Sequence, residues 1–166
     1  MKSKLSELCS GYTKNISMKE LENKSGSYPI YGASGFIKNI DSYVSEVPYI
    51  AVVKDGAGVG RAFLCPEKSS LLGTMQYIVP RENVDIRYLL YIIEGLNLGA
   101  SFRGSTIPHI YFKDYKEESV NIVSYDEQVR IADKFELITT AIERCEKAIL
   151  LCDELVKSRF ILQEVA

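Results

Sequence analysis

Cationic and polar side chains cluster in two segments of the sequence that lack a regular apolar pattern. Lys54 and Arg61 enclose a glycine-rich segment, and Arg103, Ser105 and His109 follow one another closely further along the chain. Amino, guanidinium, hydroxyl and imidazole groups on loops are suited to hydrogen bonds with phosphate oxygens or with the edges of nucleic-acid bases. By itself, His109 is more often a hydrogen-bonded loop histidine than a catalytic base. These segments therefore indicate binding chemistry.

A third candidate loop is centred on the pair Gly32 and Gly35, within residues 27–40. Glycines at this spacing predict a tight turn between two strand ends that are rich in aromatic residues. Such a turn can bring Tyr31 or Ser34 close to a ligand, although a plain turn is the more common outcome.

The motifs of common enzyme and metal sites are missing from the sequence. The glycine-rich segment 56–60 lacks the Gly-Lys-Ser/Thr of a P-loop, and no helix pattern follows it, as a dinucleotide-binding fingerprint requires. The four cysteines form no Cys-x-x-Cys pair, and a single histidine cannot complete a zinc site of familiar spacing. We interpret the cysteines as reduced thiols, and the pairs Glu117-Glu118 and Asp153-Glu154 as solvated charges.

The segments between the candidate loops have the patterns of short strands and one core helix. Apolar residues on one face of 85–96 predict a helix packed against a sheet. The predicted strands are 47–53 and 62–65, which form a hairpin, then 71–79, the aromatic residues after His109, and 119–123. We therefore expect an α+β fold, in which residues 1–123 form a mixed, β-rich domain.

The last segment of the chain carries a heptad pattern. Its apolar residues alternate steps of four and three, which is typical of a coiled-coil seam. The seam residues are Ile131, Phe135, Ile138, Ile142, Cys145, Ile149, Cys152 and Val156. Ser124 and Glu127 have the spacing of a capping box, and about 38 residues would make a helix of roughly 55–60 Å. We predict a spacer or dimerisation helix over 124–166. A helix packed on its own domain is the alternative, because leucines near its end widen the apolar face.

Composition and charge limit the remaining possibilities. With 166 residues, of which 46% are hydrophobic, the chain has room for one domain of about 120 residues besides the helix. Residues 1–123 carry 14 Lys and Arg against 13 Asp and Glu, whereas residues 124–166 carry 6 against 9. Any nucleic-acid-binding face must therefore come from local clustering of loop cations. No apolar run suits a membrane span or a signal peptide, so we expect a soluble, cytoplasmic protein.

Several of these segments together resemble the specificity subunit of type I restriction-modification systems. In chain order they are Tyr28-Pro29-Ile30-Tyr31-Gly32, Gly104-Ser105-Thr106-Ile107-Pro108-His109, Phe112-Lys113-Asp114, Asp126-Glu127-Gln128 and Lys157-Ser158-Arg159-Phe160. The resemblance spans almost the whole chain. It implies a DNA target-recognition domain and a long spacer helix that docks methyltransferase subunits, with or without a restriction subunit. It also implies a non-catalytic chain. The family's methyltransferase subunit carries a loop with two adjacent prolines, and no two prolines are adjacent in this sequence. S-adenosylmethionine, ATP and magnesium are therefore expected on partner subunits.

The chain departs from the family pattern, because the usual subunit has two recognition domains and two helices. The resemblance therefore implies a half-size or truncated subunit that forms a homodimer through its helix and reads a bipartite, interrupted palindrome in double-stranded DNA. The predicted DNA-binding residues are Lys54, Arg61, Arg103 and Lys113, with Tyr31, Ser34, Lys38, Ser105 and His109 as a second group. A coiled-coil adaptor that binds another protein and no DNA is the alternative, and the near-neutral charge favours it.

Overall fold

The computed structural model describes residues 1–13, 16–100 and 108–164, and the side chains of the last helix as far as Arg159. The chain divides into two compact units, Met1–Val129 and Arg130–Ala166. In chain order the elements are β1 (Lys2–Lys4), α1 (Leu5–Leu8), β2 (Cys9–Tyr12), α2 (Met18–Glu22), β3 (Tyr28–Gly32), β4 (Gly35–Ile40), β5 (Tyr49–Val53), β6 (Ala62–Cys65), β7 (Ser70–Leu71), β8 (Met75–Pro80), α3 (Ile86–Gly95), α4 (Phe112–Tyr115), β9 (Ser119–Asn121) and α5 (Tyr125–Glu164). A 3₁₀ turn, Leu98–Ala100, follows α3.

The main sheet of the first unit is antiparallel and has the strand order β2-β8-β5-β6. Every residue of β5 is buried, as its uninterrupted apolar run predicts. Successive side chains of a strand point to opposite faces of the sheet. Ile50 and Val52 therefore pack in the core that α3 covers, and the other three residues of β5 pack in a second core.

The predicted hairpin and core helix are confirmed. β5 pairs antiparallel with β6, and the loop between them contains glycines with positive φ, a backbone region that glycine tolerates. Helix α3 begins after Asp85, whose carboxylate accepts hydrogen bonds from the N–H groups of Arg87 and Tyr88 at 2.9 and 3.1 Å. On its inner face, Leu89 and Ile93 are fully buried.

A smaller sheet has the strand order β4-β3-β7. Strands β3 and β4 form the predicted turn around Gly32 and Gly35, where Gly35 has a φ of +98°. A third sheet pairs β1 with β9, so the first strand of the chain lies beside the last strand before the long helix. The sequence around Leu5 and Leu8 does not predict β1, α1 and β2, because such short elements show no apolar period.

The prediction of one strand over 71–79 is wrong. A break at 72–74 divides this segment into β7 and β8, which belong to different sheets. β7 pairs parallel with β3, whereas β8 lies between β2 and β5. An apolar run does not reveal such a break, because both strands are buried.

The prediction of an aromatic strand after His109 is also wrong, because Phe112–Tyr115 is the short helix α4. The N–H of Tyr111 donates to Asp114 Oδ2 at 2.9 Å, and the N–H of Phe112 donates to Gln76 Oε1 at 2.9 Å. Side chains thus provide the hydrogen-bond partners that a neighbouring strand would otherwise provide.

The predicted long helix is confirmed. Helix α5 has 40 residues, which corresponds to about 60 Å at 1.5 Å per residue. It begins directly after Ser124, and Asp126 and Glu127 give its first turn the negative charge that a helix N-terminus favours. None of the helices in the described part of the chain combines the length and the apolar character that a membrane span needs.

Gln128 holds the first turn of α5 within the Met1–Val129 unit. Its side chain is buried. The amide nitrogen donates to the carbonyl oxygens of Asn83 and Val123 at 3.2 and 3.0 Å, and the amide oxygen accepts the N–H of Asp85 at 3.0 Å. Three backbone groups therefore depend on this one side chain for their hydrogen bonds.

Replacing Gln128 with Leu should lower the free energy of unfolding by about 2–4 kcal/mol, because it leaves two carbonyls and one N–H without partners. The measurement is urea unfolding followed by tyrosine fluorescence, since the chain has 11 Tyr and no Trp. Lys147→Leu, at an exposed position of the same helix, is the control, and its effect should stay within about 0.5 kcal/mol. Equal stability of the two variants would contradict the role of Gln128.

Candidate nucleic-acid interface

Six of the predicted binding residues lie in two groups at different places in the Met1–Val129 unit. Arg103 and Ser105 lie outside the described residues. The first group, near the turn between β3 and β4, consists of Tyr31, Ser34 and Arg61. The second group, around Tyr111, consists of Lys54, His109 and Lys113. Lys38 belongs to neither group.

Arg61 connects two loops. Its Nη2 donates to the carbonyl oxygen of Ala33 at 3.1 Å, which ties the β5–β6 loop to the β3–β4 turn. Beside it, the Tyr31 ring lies edge-on to Phe36 and Phe63, with centroid distances of 6.1 and 6.4 Å. Burial raises the pKa of Tyr31 above its ordinary value, which keeps its hydroxyl protonated at neutral and at mildly alkaline pH. Arg61 therefore has a structural role beside any contact with a ligand.

Two observations limit what this turn can bind. A cavity of about 500 Å³ beside it is lined by Arg61 and also by Glu94, whose pKa is raised by burial. When it is ionised, that carboxylate offsets the charge of the guanidinium. Lys38 Nζ donates to the carbonyl oxygen of Leu21 at 3.4 Å and is half-buried, so it faces the end of α2.

Lys54 does not present its charge to solvent. It is 6% exposed, forms an ion pair with Asp55, and lies with its ammonium 5.5 Å from the ring centroid of Tyr111. Its carbonyl oxygen accepts the N–H of Ile110 at 2.9 Å. Lys54 thus fixes the segment before α4 against the end of β5, and its predicted contact with DNA stays a prediction.

Tyr111 brings the other two members of the second group together. The His109 ring lies 5.7 Å from the Tyr111 ring, and the Lys113 ammonium lies 5.4 Å from the same ring centroid, within the range of a cation–π interaction. Lys113 is exposed, whereas His109 and Tyr111 are half-buried. An imidazole, a phenol and an ammonium therefore meet at one place, where they offer donors suited to phosphate oxygens or base edges.

A cleft of about 630 Å³ lies between β2 and α4, next to Tyr111. Gly11 packs so closely on Phe112 that a Cβ at this position would lie 2.4 Å from the ring. Beneath them, the buried Gln76 accepts the N–H of Phe112 at 2.9 Å and donates to the carbonyl oxygen of Ile110 at 3.4 Å. One amide thus fixes the backbone that carries Tyr111 and Lys113.

Sequence reasoning missed Gln76, Arg81 and Lys116, which line this cleft together with Lys113. The spacing of Lys113 and Lys116 could have indicated a shared helix face, but the preceding aromatic residues were interpreted as a strand. Gln76 and Arg81 carried no signal, because they lie inside and just after a strand. Among the described residues, no cluster of three or more His, Cys, Asp or Glu could hold a metal ion.

Comparison with known proteins gives a consistent result. A family model described as the type I restriction modification DNA specificity domain matches residues 1–151. No curated protein sequence matches this chain.

Several solved structures share the fold. The S subunit of the type I restriction-modification system from M. genitalium superposes with a TM-score of 0.69 at 18% identity, covering 87% of this chain and 40% of its own. The HsdS subunit from Thermoanaerobacter tengcongensis superposes with a TM-score of 0.66 at 16% identity, and the match covers 89% of the present chain and 39% of that subunit. A chain from a structure that describes complex assembly and conformational transition of the type I R-M system superposes with a TM-score of 0.70 at 16% identity. The match covers 89% of the present chain and 40% of that chain. The present chain thus spans about two fifths of the length of these proteins.

Replacing Gln76 with Leu should lower the free energy of unfolding by about 1–3 kcal/mol, because the Phe112 N–H and the Ile110 carbonyl lose their partner. Urea unfolding measures this effect. Met75→Leu, a substitution of similar volume at the next buried position, is the control and should cost less than about 1.5 kcal/mol. A Gln76→Leu variant as stable as the unmodified chain would show that this amide does not hold the segment.

Proposed function

Because this chain belongs to the type I restriction modification DNA specificity domain family, we propose that it is the DNA-reading subunit of such a system. In this proposal, residues 1–123 recognise one half of a split site in double-stranded DNA, and residues 124–166 form the spacer helix. The single observation that carries the proposal is the family match, which covers both the folded unit and most of α5. The solved relatives support it through their shared fold.

The chemistry in this proposal belongs to partner subunits. The chain directs methyltransferase subunits, with or without a restriction subunit, and S-adenosylmethionine, ATP and magnesium bind to those partners. The exposed donors near Tyr111 and near Arg61 support a binding role, because their ammonium and guanidinium groups can reach a ligand. Within the proposal, Arg61, Lys113, Tyr31, Ser34 and His109 contact DNA together with Arg103 and Ser105. The contacts of Lys38 with Leu21 and of Lys54 with Asp55 favour structural roles for these two lysines.

The exposed apolar seam of α5 supports pairing with a second copy of the chain. Phe135, Ile138, Ile142, Ile149 and Val156 are 45–62% exposed, and Cys145 and Cys152 are exposed as well. These positions repeat at heptad spacing, so the same stripe on a second helix is complementary to it. Antiparallel pairing would place two identical readers about a two-fold axis, and an interrupted palindrome is the target that this symmetry fits. A helix of about 60 Å corresponds to roughly 17 base pairs of DNA.

A second apolar set on α5 supports docking of methyltransferase subunits. Leu137, Leu150 and Leu151 are 56–72% exposed. With Ile142 and Ile149 at position a of the heptad, these leucines occupy b and c positions, which face away from the seam. They would therefore remain exposed in a paired helix and available to a further protein.

Selection from random DNA duplexes tests the proposed function. In the presence of the methyltransferase subunits of its system, the chain should enrich two short fixed sequences separated by a constant spacer, and the two halves should be related by two-fold symmetry. The methyltransferase subunits alone are the control and should enrich no split site. Enrichment of no sequence, together with stable binding to a protein partner, would favour the coiled-coil adaptor instead.

Replacing Ile142 with Asp should prevent pairing, because it buries a carboxylate in an apolar seam. Sedimentation should then show a monomer, with the helix content unchanged by circular dichroism. Lys147→Asp is the matched control: it lies at the f position, opposite the seam, and changes the charge by two units instead of one. A monomer in both variants, or a dimer in both, would contradict pairing through the seam.

Thiol labelling gives an independent measure of the same contact. Cys145 and Cys152 should react quickly with N-ethylmaleimide in dilute solution and slowly at concentrations where the chain pairs. Cys9 and Cys65 are buried, and burial raises the pKa of each to about 12, so both should remain unreactive throughout and serve as internal references. In Ile142→Asp, the labelling rate should no longer depend on concentration.

A further inference from the structure

We propose that the cleft between β2 and α4 binds the sugar-phosphate backbone of DNA through Arg81, Lys113 and Lys116. The inference rests on the proposed function, and it names the surface of the chain that contacts the DNA backbone. In this assignment the three cations fix the position of the duplex and do not read its sequence, which is the usual division between phosphate and base contacts. Two of the three, Arg81 and Lys116, are not among the residues that the sequence analysis predicts to bind DNA.

The charge of the cleft has one sign. Arg81, Lys113 and Lys116 line it, and no Asp or Glu is among its described lining residues. Within the described part of the chain, none of the three forms an ion pair, in contrast to Lys4, which binds Glu117, and to Lys54. Glu117 interacts electrostatically with Lys116, but it lies outside the described lining of the cleft and forms its ion pair with Lys4. Three cations with no carboxylate among the described lining residues focus a positive potential in a unit whose net charge is close to zero. A polyanion is the ligand that matches this potential.

The two lysines are held on one face of a fixed element. Lys113 lies within α4 and Lys116 follows as its C-cap, and a spacing of three residues places both side chains on the same side. The carbonyl oxygen of Lys116 accepts the N–H of Ser6 at 2.8 Å, while Gln76 holds the N–H of Phe112 at the other end. Because both ends of α4 are attached, binding an anion there orders little backbone.

Tyr12 adds an aromatic surface to the same cleft. Its ring is 50% exposed and stacks on Tyr77 with a centroid distance of 5.4 Å and an interplanar angle of 21°. Tyr77 covers one side of the ring and fixes its orientation, so the other side can pack on a sugar or a base. Cations interleaved with an oriented aromatic ring are the combination that tracks a nucleic-acid strand. The cleft volume of about 630 Å³ is within the range of sites that hold ligands larger than a single phosphate.

The test is the salt dependence of DNA affinity for a variant that carries Lys113→Ala and Lys116→Ala. Each phosphate contact contributes about 0.9 to the slope of log K against log salt. The variant should therefore lose about 1.8 of slope for each bound chain and bind roughly 10- to 60-fold more weakly at 0.1 M salt. Arg81→Ala should lose about half as much slope. The chain is measured with its methyltransferase subunits, on the enriched duplex and on a random one.

The matched control carries Lys2→Ala and Lys19→Ala, which removes the same charge from exposed positions outside the cleft. Its slope should equal that of the unmodified chain. The cleft variant should also enrich the same sequence as the unmodified chain, because backbone contacts weaken all sequences alike. Equal slopes for the two double variants, or an altered target sequence in the cleft variant, would overturn the assignment while leaving the proposed function intact.

Two further arms separate the remaining outcomes. In the first, the unmodified chain enriches no sequence, but the slope of log K against log salt on random DNA falls in the cleft variant and not in the control. This result would support DNA binding by the cleft, and only the proposed function would fail. Millimolar inorganic phosphate at constant ionic strength should not displace the duplex from the unmodified chain. Displacement that depends on Lys113 and Lys116 would identify the cleft as a site for free phosphate and overturn the DNA assignment.

Discussion

The burial of β5 on both faces is the constraint on which the Met1–Val129 unit depends. All five of its side chains are excluded from water, so the sheet needs apolar cover on both sides. Leu89 and Ile93 of α3 provide it on one face, and Leu71 and Met75 provide it on the other. Burial of a large apolar side chain contributes about 1.5–3 kcal/mol, more than a typical surface contact. The fold is therefore set by this strand and its neighbours, and the loops at its ends are free to carry polar groups.

The ends of β5 show how a charge near the core changes its role. Lys54 follows the strand directly. Its ammonium forms an ion pair with Asp55 and lies over the ring of Tyr111, so it stabilises a loop. Lys113 contacts the same ring from the surface and keeps its charge available. The two lysines contact the same aromatic side chain, but they differ in their exposure to water. A buried ammonium needs a counter-charge, whereas an exposed one does not. Residue type alone does not distinguish these cases.

The sequence predicts elements that have a long or uninterrupted apolar pattern. β5, α3 and α5 were predictable because burial requires an apolar run, an apolar face or a heptad stripe, and each leaves a period in the sequence. The helix α4 was not predictable, because it depends on a hydrogen bond from the distant residue Gln76. The break at 72–74 was not predictable either, because there the N–H groups of Leu72 and Gly73 donate to the carbonyl oxygens of the distant residues Tyr31 and Ile16. The candidate site was predictable only to the level of its loops. Arg81 joins Lys113 and Lys116 only through tertiary structure, which no local spacing in the sequence indicates.

The near-neutral charge of the first unit is compatible with DNA reading if affinity comes from two readers and not from a strong field. If the cleft binds DNA as proposed, its three cations would make few phosphate contacts, so a single domain would bind weakly, and weak non-specific binding would let base contacts decide between sites. Pairing through α5 would make the second contact intramolecular, so its effective concentration would multiply the two weak affinities. A pair of this kind would select for sites in which both halves are present at the right separation. A strongly basic domain would instead bind either half alone and lose that selectivity, so a low net charge suits a bipartite reader.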